Sequence, residues 1–239
     1  MITTIGTISD IHGNLDYYFS LAPLNADLVI VPGDLFTLDD VSSQTKEAEV
    51  FKKAMNYLFP VAQDIIIVPG NHDYLLERIK SPGMESDSTI RTLFGQRCKV
   101  LVDEEYTFNN LLTGETIRIY GAPRTNLSMA FPRLWGKKDI QNIPEGIDIL
   151  VTHEAPRNYN LPCVKNSIGE YGFDEPGDGE LYQKVLKIIP KYHIFGHIHK
   201  RCIQEDSGIT FINASQMYRY QFKPEVIIFP FKNPQNPYY

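Results

Sequence analysis

The sequence predicts an α/β protein with a mixed sheet, and two observations support this class. Short apolar runs typical of buried strands alternate with segments of helical pattern, and a further run of strands follows. The chain has 239 residues, of which 43% are hydrophobic, so it is long and apolar enough for a sizeable core. We therefore expect one domain over residues 1–239.

The predicted elements follow from apolar period, β-branched content and proline positions. Five strands should end beside side chains that can bind metal ions: Ile2–Ser9, Asp27–Val31, Asp64–Val68, Ile147–Val151 and Tyr192–Phe195. Helices are predicted at residues 14–21, Thr45–Phe59, Tyr74–Ile79, Ser88–Phe94 and Glu180–Ile189, the last ending before Pro190. The remaining strands are Lys99–Val102, Tyr106–Asn109, Thr116–Tyr120, Ile209–Asn213 and Glu225–Phe229, within an extended C-terminal tail at 221–239.

Five short polar blocks follow the first set of strands and hold five of the six histidines. They are Asp10-Ile11-His12, Gly33-Asp34, Gly70-Asn71-His72-Asp73, Thr152-His153 and Gly196-His197-Ile198-His199. Strand ends that converge commonly form a binding site. Carboxylate, amide and imidazole donors together suit Mn, Fe, Zn or Co. None of the five blocks contains Cys, which argues against a structural site built from soft thiolate ligands.

Spacing within two blocks strengthens the metal interpretation. Residues i and i+2 of an extended segment face the same side. We therefore expect Asp10 with His12, and His197 with His199, to present two donors each to one space. The sixth histidine, His193, lies inside a predicted strand and is expected to have no catalytic role.

The ordered blocks, from Asp10 to His199, resemble those of the calcineurin-like metallophosphoesterases. The resemblance implies a four-layer α/β/β/α sandwich of two mixed sheets. It also implies two divalent metal ions, with Mn expected first and Fe, Zn, Co or Ni as alternatives, and hydrolysis of a phosphoester by a hydroxide that bridges them.

The resemblance also implies a role for each matching residue. The first ion would be held by Asp10, His12, Asp34 and His199, and the second by Asp34, Asn71, His153 and His197. Asp34 would bridge the two ions. His72 would face the phosphate as hydrogen-bond donor or general acid, so the catalytic residues would be His72 and Asp34, and Asn71 and His72 would contact substrate. Asp73 would support the site without binding metal.

A narrower resemblance covers four segments, which are similar to the small MPPED-like (class III phosphodiesterase-like) branch: Gly121–Glu145, Asp148–Pro156, Pro190–His199 and Phe211–Ser215. Studied members of that branch cleave phosphodiesters, cyclic nucleotides included, which favours a phosphodiesterase over a monoesterase. The Asp-Arg that protein phosphatases carry after the Gly-Asp block is missing, and Thr37 stands where purple acid phosphatases have a Tyr ligand. The alternatives are a nuclease, because repair nucleases share G-D-L-F and G-N-H-D, and a catalytically silent scaffold of the same fold.

Residues 121–145 form the most informative segment outside the blocks. The segment is loop-like and contains Trp135 together with Arg124, Arg133, Lys137 and Lys138. We expect it to wall or cover the active site, with Arg124 contacting substrate. The alternative is a packed surface excursion.

Charge and cysteine content restrict partners and location. The net charge of −6 disfavours broad binding to a nucleic-acid backbone, although it does not remove the nuclease alternative. No apolar run approaches the ~20 residues of a membrane span. Three cysteines without metal spacing suggest buried thiols in a reducing compartment, and Met1 leads directly into the first strand, so a cytoplasmic location is expected. The oligomeric state is not predicted.

Overall fold

The structure is a computed structural model that describes residues 3–13, 26–36, 49–50, 52–56, 62–81, 86–123, 125, 130–131, 138–157, 177–216 and 227–230. Its first sheet has the strand order β11-β1-β2-β3-β4. These strands are β1 (Thr4–Thr7), β2 (Leu28–Val31), β3 (Asp64–Ile67), β4 (Cys98–Val100) and β11 (Ile227–Pro230). All neighbours are parallel except β11, which runs antiparallel to β1.

The second sheet has the order β5-β6-β7-β8-β10-β9. It contains β5 (Glu104–Asn109), β6 (Thr116–Ala122), β7 (Ile149–Thr152), β8 (Tyr192–Phe195), β9 (Cys202–Asp206) and β10 (Ile209–Asn213). The four inner strands β6, β7, β8 and β10 are parallel, whereas β5 and β9 are antiparallel edges. Both sheets are therefore mixed, as the resemblance implied.

Alternation along the strands places the two sheets face to face. In β2, Leu28 and Ile30 join a core that also contains Ile149 and Val151 of β7, so this core lies between the sheets. Val29 and Val31 point the other way. A strand in a sheet that is covered on both faces buries all of its side chains, which explains why every residue of β2 is apolar.

Helices cover the outer faces. Helix α1 (Tyr74–Ile79) and helix α2 (Ser86–Phe94) contribute to the core outside the first sheet, and residues 49–50 and 52–56 are also helical. Helix α3 (Lys138–Gln141) and helix α4 (Gly179–Ile188) contribute to the core outside the second sheet. The side chain of Asp178 caps α4 by accepting from the N–H groups of Glu180 and Leu181. The predicted α/β/β/α sandwich is thus confirmed.

Among the described residues, backbone hydrogen bonds join the two sheets beyond the end of β1. Beyond the end of β1, Ser9 N donates to Ala214 O at 3.1 Å, and Gln216 N donates to Ser9 O at 2.9 Å. This parallel bridge between Ser9 and Ser215 lies one residue from Asp10. The edge at which the sheets meet is therefore the edge that carries the predicted donors.

Most predicted elements are present, and the differences have physical reasons. The prediction missed β9, because this edge strand has no buried residue and so no apolar run. It also missed α3, which lies inside the segment expected to be a loop. Cys98 is a buried free thiol as expected, but Cys202 is disulfide-bonded, so the expectation of thiols is wrong there.

Some expectations fall outside the described residues, namely the helix at 14–21, parts of the helix at 45–59 and most of the C-terminal tail. The single-domain prediction over 1–239 stays a prediction. None of the helices that the structure describes has the length and apolar character that a bilayer span requires.

Candidate metal centre

The donor-bearing loops all follow the carboxyl ends of parallel strands. Asp10 and His12 follow β1, Asp34 follows β2, and Asn71 and His72 follow β3. From the second sheet, His153 follows β7, while His197 and His199 follow β8. Parallel strands bring these ends to the same edge of each sheet, and the face-to-face packing brings the two edges together.

Four of the donor residues have a left-handed backbone conformation and not an extended one. Positive φ values occur at Asp10 (54°), His12 (47°), Asp34 (54°) and His197 (66°). For residues other than glycine this conformation costs free energy and clusters at functional sites. Asp10 and His12 do face one space, as expected, but the extended i, i+2 geometry from which this was inferred is wrong.

Two glycines leave room for the donors to approach. A Cβ on Gly70 would overlap Asp34 Oδ1 and lie 2.7 Å from His153 Cε1. A Cβ on Gly196 would overlap Ser9 Oγ and lie 2.6 Å from Asp10 Oδ2. Any larger residue at either position would push a carboxylate of the site aside.

One group of donors gathers around Asp10. The Nε2 atoms of His12 and His199 are 3.3 Å apart, and His199 Nε2 lies 3.6 Å from Asp10 Oδ1. One ligand atom from each of these three residues lies within 4.8 Å of the others. Asp10 itself is held in place because His197 N donates to its carboxylate at 3.1 Å.

A second group gathers around Asn71 and Asp34. Asn71 Oδ1 lies 3.0 Å from both His153 Nε2 and His197 Nδ1. His153 Nε2 is also 3.3 Å from Asp34 Oδ2, and its Nδ1 donates to Pro32 O at 2.8 Å, which leaves Nε2 free of a proton in the neutral ring. The same Asp34 Oδ2 lies 3.8 Å from His12 Nε2, so Asp34 stands between the two groups.

His72 lies at the open side of the cluster. Its Nε2 is 3.9 Å from Asp34 Oδ2, and its backbone N–H donates to Asp34 Oδ1 at 2.9 Å. The side chains of His72, His197 and His199 are partly exposed, whereas Asp10, Asp34 and His153 are almost fully buried. These three rings are therefore the side chains of the cluster nearest to solvent.

Asp73 ties two of the loops together. Its carboxylate accepts from the N–H groups of Gly70 (2.7 Å), Asp34 (2.9 Å) and Leu35 (3.0 Å). Burial and the charge of Asp34 raise the pKa of Asp73 to about 7, although three N–H donors favour the carboxylate form. Its contacts keep the Gly33-Asp34 turn in register with the Asn71 loop.

The electrostatics suit cation binding. Burial would raise the pKa of Asp10, but the hydrogen bond and charge of His199 outweigh it and lower that pKa to about 2. Burial likewise opposes ionisation of Asp34, yet the charge of His153 holds the pKa of Asp34 well below its usual range. Burial lowers the pKa of His12 to about 4, so its ring is neutral, the form that binds metal.

The donor set fits divalent ions. The buried carboxylates of Asp10 and Asp34 lie beside imidazole nitrogens of His199 and His153, and this combination of oxygen and nitrogen donors suits divalent transition metals. Among the described residues, three overlapping groups have ligand atoms close enough together to hold an ion. They are Asp10 with His12 and His199, His12 with Asp34 and His72, and Asp10 with Asp34 and His153.

All seven residues expected to bind metal meet at this edge. Arg124 and parts of the 121–145 segment lie outside the described residues. Its described part contacts the site loop, because Ala130 N donates to Asn71 O at 3.1 Å. Sequence reasoning missed Glu154, whose buried Oε2 lies 3.9 Å from His197 Nε2. Its position directly after His153 was the available signal.

The fold and the clustered donors define a metallophosphoesterase, a class of metal-dependent phosphoester hydrolases. Sequence comparison gives the same answer, because a family model described as calcineurin-like phosphoesterase matches residues 3–201. The chain therefore belongs to the calcineurin-like phosphoesterase family.

Two relatives support the narrower resemblance. A UPF0046 protein of Caenorhabditis elegans is 27% identical over 222 residues, covering 87% of this chain and 73% of the relative. Human metallophosphoesterase domain-containing protein 1 is 26% identical over 230 residues, covering 87% of this chain and 64% of that protein. The predicted likeness to the MPPED-like branch is confirmed.

Solved structures agree on the architecture. The phosphopantetheinyl hydrolase PptH of Mycobacterium tuberculosis superposes with a TM-score of 0.63 at 16% identity, covering 98% of both chains. The protein TT1561 of Thermus thermophilus gives 0.58 at 12% identity, covering 89% of both. Identities this low show the shared fold alone.

Proposed function

We propose that this chain is a dinuclear-metal-dependent phosphodiesterase acting on a small substrate, with cyclic nucleotides as the first candidates. The observation that carries the proposal is the meeting of five histidines from loops of both sheets around the buried carboxylates Asp10 and Asp34. The preference for a diester rests on the resemblance to the MPPED-like branch. The native metal, with Mn first, and a cytoplasmic location stay predictions.

Seven residues are proposed as ligands. Asp10, His12 and His199 would hold one ion, and Asn71, His153 and His197 the other. Asp34 would serve both, because its Oδ2 lies between His12 and His153. When bound, the ions lower the pKa of a coordinated water to ~7 and offset phosphoryl charge.

The chain's own groups complete the site. His72 is proposed to donate a hydrogen bond to the phosphoryl group, because it lies beside Asp34 at the open side. Its pKa is lowered by burial, which keeps the ring neutral near pH 7 with one N–H to donate. Asn71 is proposed to contact substrate through its amide, and Arg124 through its guanidinium.

Metal ions would favour binding of an anionic substrate at this site. Without them, a phosphate would meet the buried carboxylates of Asp10 and Asp34. The bound cations reverse that charge, which explains why the chain's net charge of −6 does not prevent binding of a small phosphoester.

A substrate panel tests the proposal. Metal-free chain loaded with Mn²⁺ is assayed on bis(4-nitrophenyl) phosphate, 4-nitrophenyl phosphate, 2′,3′-cAMP, 3′,5′-cAMP, and single- and double-stranded DNA. We expect turnover of the diester and of at least one cyclic nucleotide, which EDTA abolishes. Faster cleavage of DNA would favour the nuclease alternative. Bound metal without turnover of any substrate would favour a scaffold and overturn the proposal.

A further inference from the structure

The loop that carries His197 and His199 is held by a buried side chain outside the donor blocks. Asn213, at the end of β10, is fully buried. Its Nδ2 donates to the carbonyl of Ile198 at 2.7 Å, and its Oδ1 accepts from Ser215 N at 3.1 Å. Ile198 is the residue between the two histidines, so this hydrogen bond acts on the middle of the loop.

The loop has little regular structure to fix its course. Within it, Ile198 N donates to Gly196 O at 2.7 Å, and His197 adopts the left-handed conformation with φ of 66°. A residue in that conformation persists only where its surroundings determine it. The hydrogen bond from Asn213 supplies one such constraint, because it comes from the neighbouring strand of the sheet and not from the loop.

Asn213 also stands at the junction of the two sheets. The next residue, Ala214, donates its N–H to Phe195 O at 2.8 Å and accepts from Ser9 N at 3.1 Å. Ser9 immediately precedes Asp10. The end of β10 therefore relates the loop of His197 and His199 to the strand that delivers Asp10.

We propose that Asn213 is a positioning residue for metal binding, which fixes the Ile198 carbonyl so that His199 faces Asp10 and His197 faces Asn71. This inference rests on the proposed function, since it concerns the same metal centre. Asn213 is not one of the proposed ligands, and it acts through the loop by its hydrogen bond to Ile198 O. Side chains that orient metal ligands in this way typically contribute about 10–100-fold in metal affinity.

A second buried asparagine provides a matched control. Asn110 donates from Nδ2 to Thr3 Oγ1 at 3.1 Å, and its Oδ1 accepts from Leu112 N and Thr113 N. Thr3 precedes β1, whereas Asp10 follows it, so Asn110 lies at the opposite end of the sandwich. Asn110→Asp removes a comparable buried donor and keeps the acceptor, but it leaves the metal loop untouched.

The test measures Mn²⁺ binding by calorimetry in metal-free wild type, Asn213→Asp and Asn110→Asp, with thermal midpoints in EDTA as the measure of stability. Asn213→Asp keeps the acceptor for Ser215 N and loses the donor to Ile198 O. Its added negative charge would by itself strengthen cation binding, so a weaker affinity cannot be a charge effect. Asn213→Ala is assayed in parallel and decides the question if the Asp variant does not fold.

We expect the Mn²⁺ dissociation constant of Asn213→Asp to rise about 10–100-fold, with hydrolysis of bis(4-nitrophenyl) phosphate restored at higher Mn²⁺. Asn110→Asp should lose stability and keep wild-type affinity. Wild-type affinity in the Asn213 variants, or equal weakening in Asn110→Asp, would overturn the positioning role alone. A wild type that binds no Mn²⁺ would overturn the proposed function together with it.

Discussion

His153, which follows β7, and His193, which lies in the neighbouring strand β8, are buried to the same extent, yet their surroundings shift their pKa values in opposite directions. Both side chains are fully buried. His153 meets Asp34, whose charge outweighs burial and raises the pKa of His153 to about 10. His193 lies between Phe195 and Phe211, and burial lowers its pKa to about 3.

The difference shows that neighbouring carboxylates, more than burial, distinguish a candidate ligand from a structural histidine. His193 bonds Thr152 Oγ1 through Nε2 at 2.9 Å, and the Thr152 hydroxyl donates to Glu154 O at 2.6 Å. His193 therefore supports the backbone beside His153 through Thr152.

The largest expected effect comes from removing the carboxylate that makes the two histidines differ. Asp34→Asn takes away the charge shared by both donor groups, so we expect loss of bound Mn²⁺ and a fall in diesterase activity of at least about 10³-fold. Metal content by mass spectrometry and initial rates check this. Asp64→Asn is the control, since Asp64 lies at the start of β3, at the other end of that strand from the site, and accepts from Tyr106 OH at 2.8 Å. Full metal content in Asp34→Asn would contradict the assignment.

His72→Ala should separate catalysis from metal binding. We expect its metal content to stay at the wild-type level while turnover falls about 10²–10³-fold, the usual cost of losing one well-placed donor. Because His72 also lies within reach of Asp34 and His12, loss of metal in this variant would show that His72 is a ligand.

Metal binding should stabilise the folded chain. His153 should contribute to this metal-dependent stabilisation, whereas His193 should not. At 100 times the dissociation constant, Mn²⁺ raises the free energy of unfolding by about 2.7 kcal/mol per site. We expect His153→Ala to lose much of this increase and His193→Gln to keep all of it. Urea unfolding with Mn²⁺ and with EDTA measures both, and equal losses in the two variants would remove the distinction.

The smallest effect concerns His193 and pH. Its folded pKa of about 3 lies below the unfolded value of about 6.5, so the unfolded chain binds the extra proton between these values. Stability from this group is therefore lost as the pH falls below about 6.5, by up to about 1.4 kcal/mol per pH unit, and is unchanged above it. His193→Gln should flatten that slope in urea unfolding at pH 7, 6 and 5. Parallel profiles would contradict it.

Much of this architecture was predictable because five of the parallel strands, β1, β2, β3, β7 and β8, are short largely apolar segments directly followed by candidate metal donors. Tyr192–Phe195 and Ile209–Asn213 were predicted with the observed bounds. What the sequence lacked was information on contacts between distant segments. The left-handed backbone at Asp10 and Asp34, the approach of Glu154 to His197 and the hydrogen bond of Asn213 depend on tertiary packing, which has no local pattern.

We propose that two cations share Asp34 at the edge where the sheets meet. Anomalous diffraction from crystals soaked in Mn²⁺ is the decisive experiment. We expect two peaks flanking Asp34, one beside Asp10, His12 and His199 and the other beside Asn71, His153 and His197. A single peak, or peaks remote from Asp34, would contradict it.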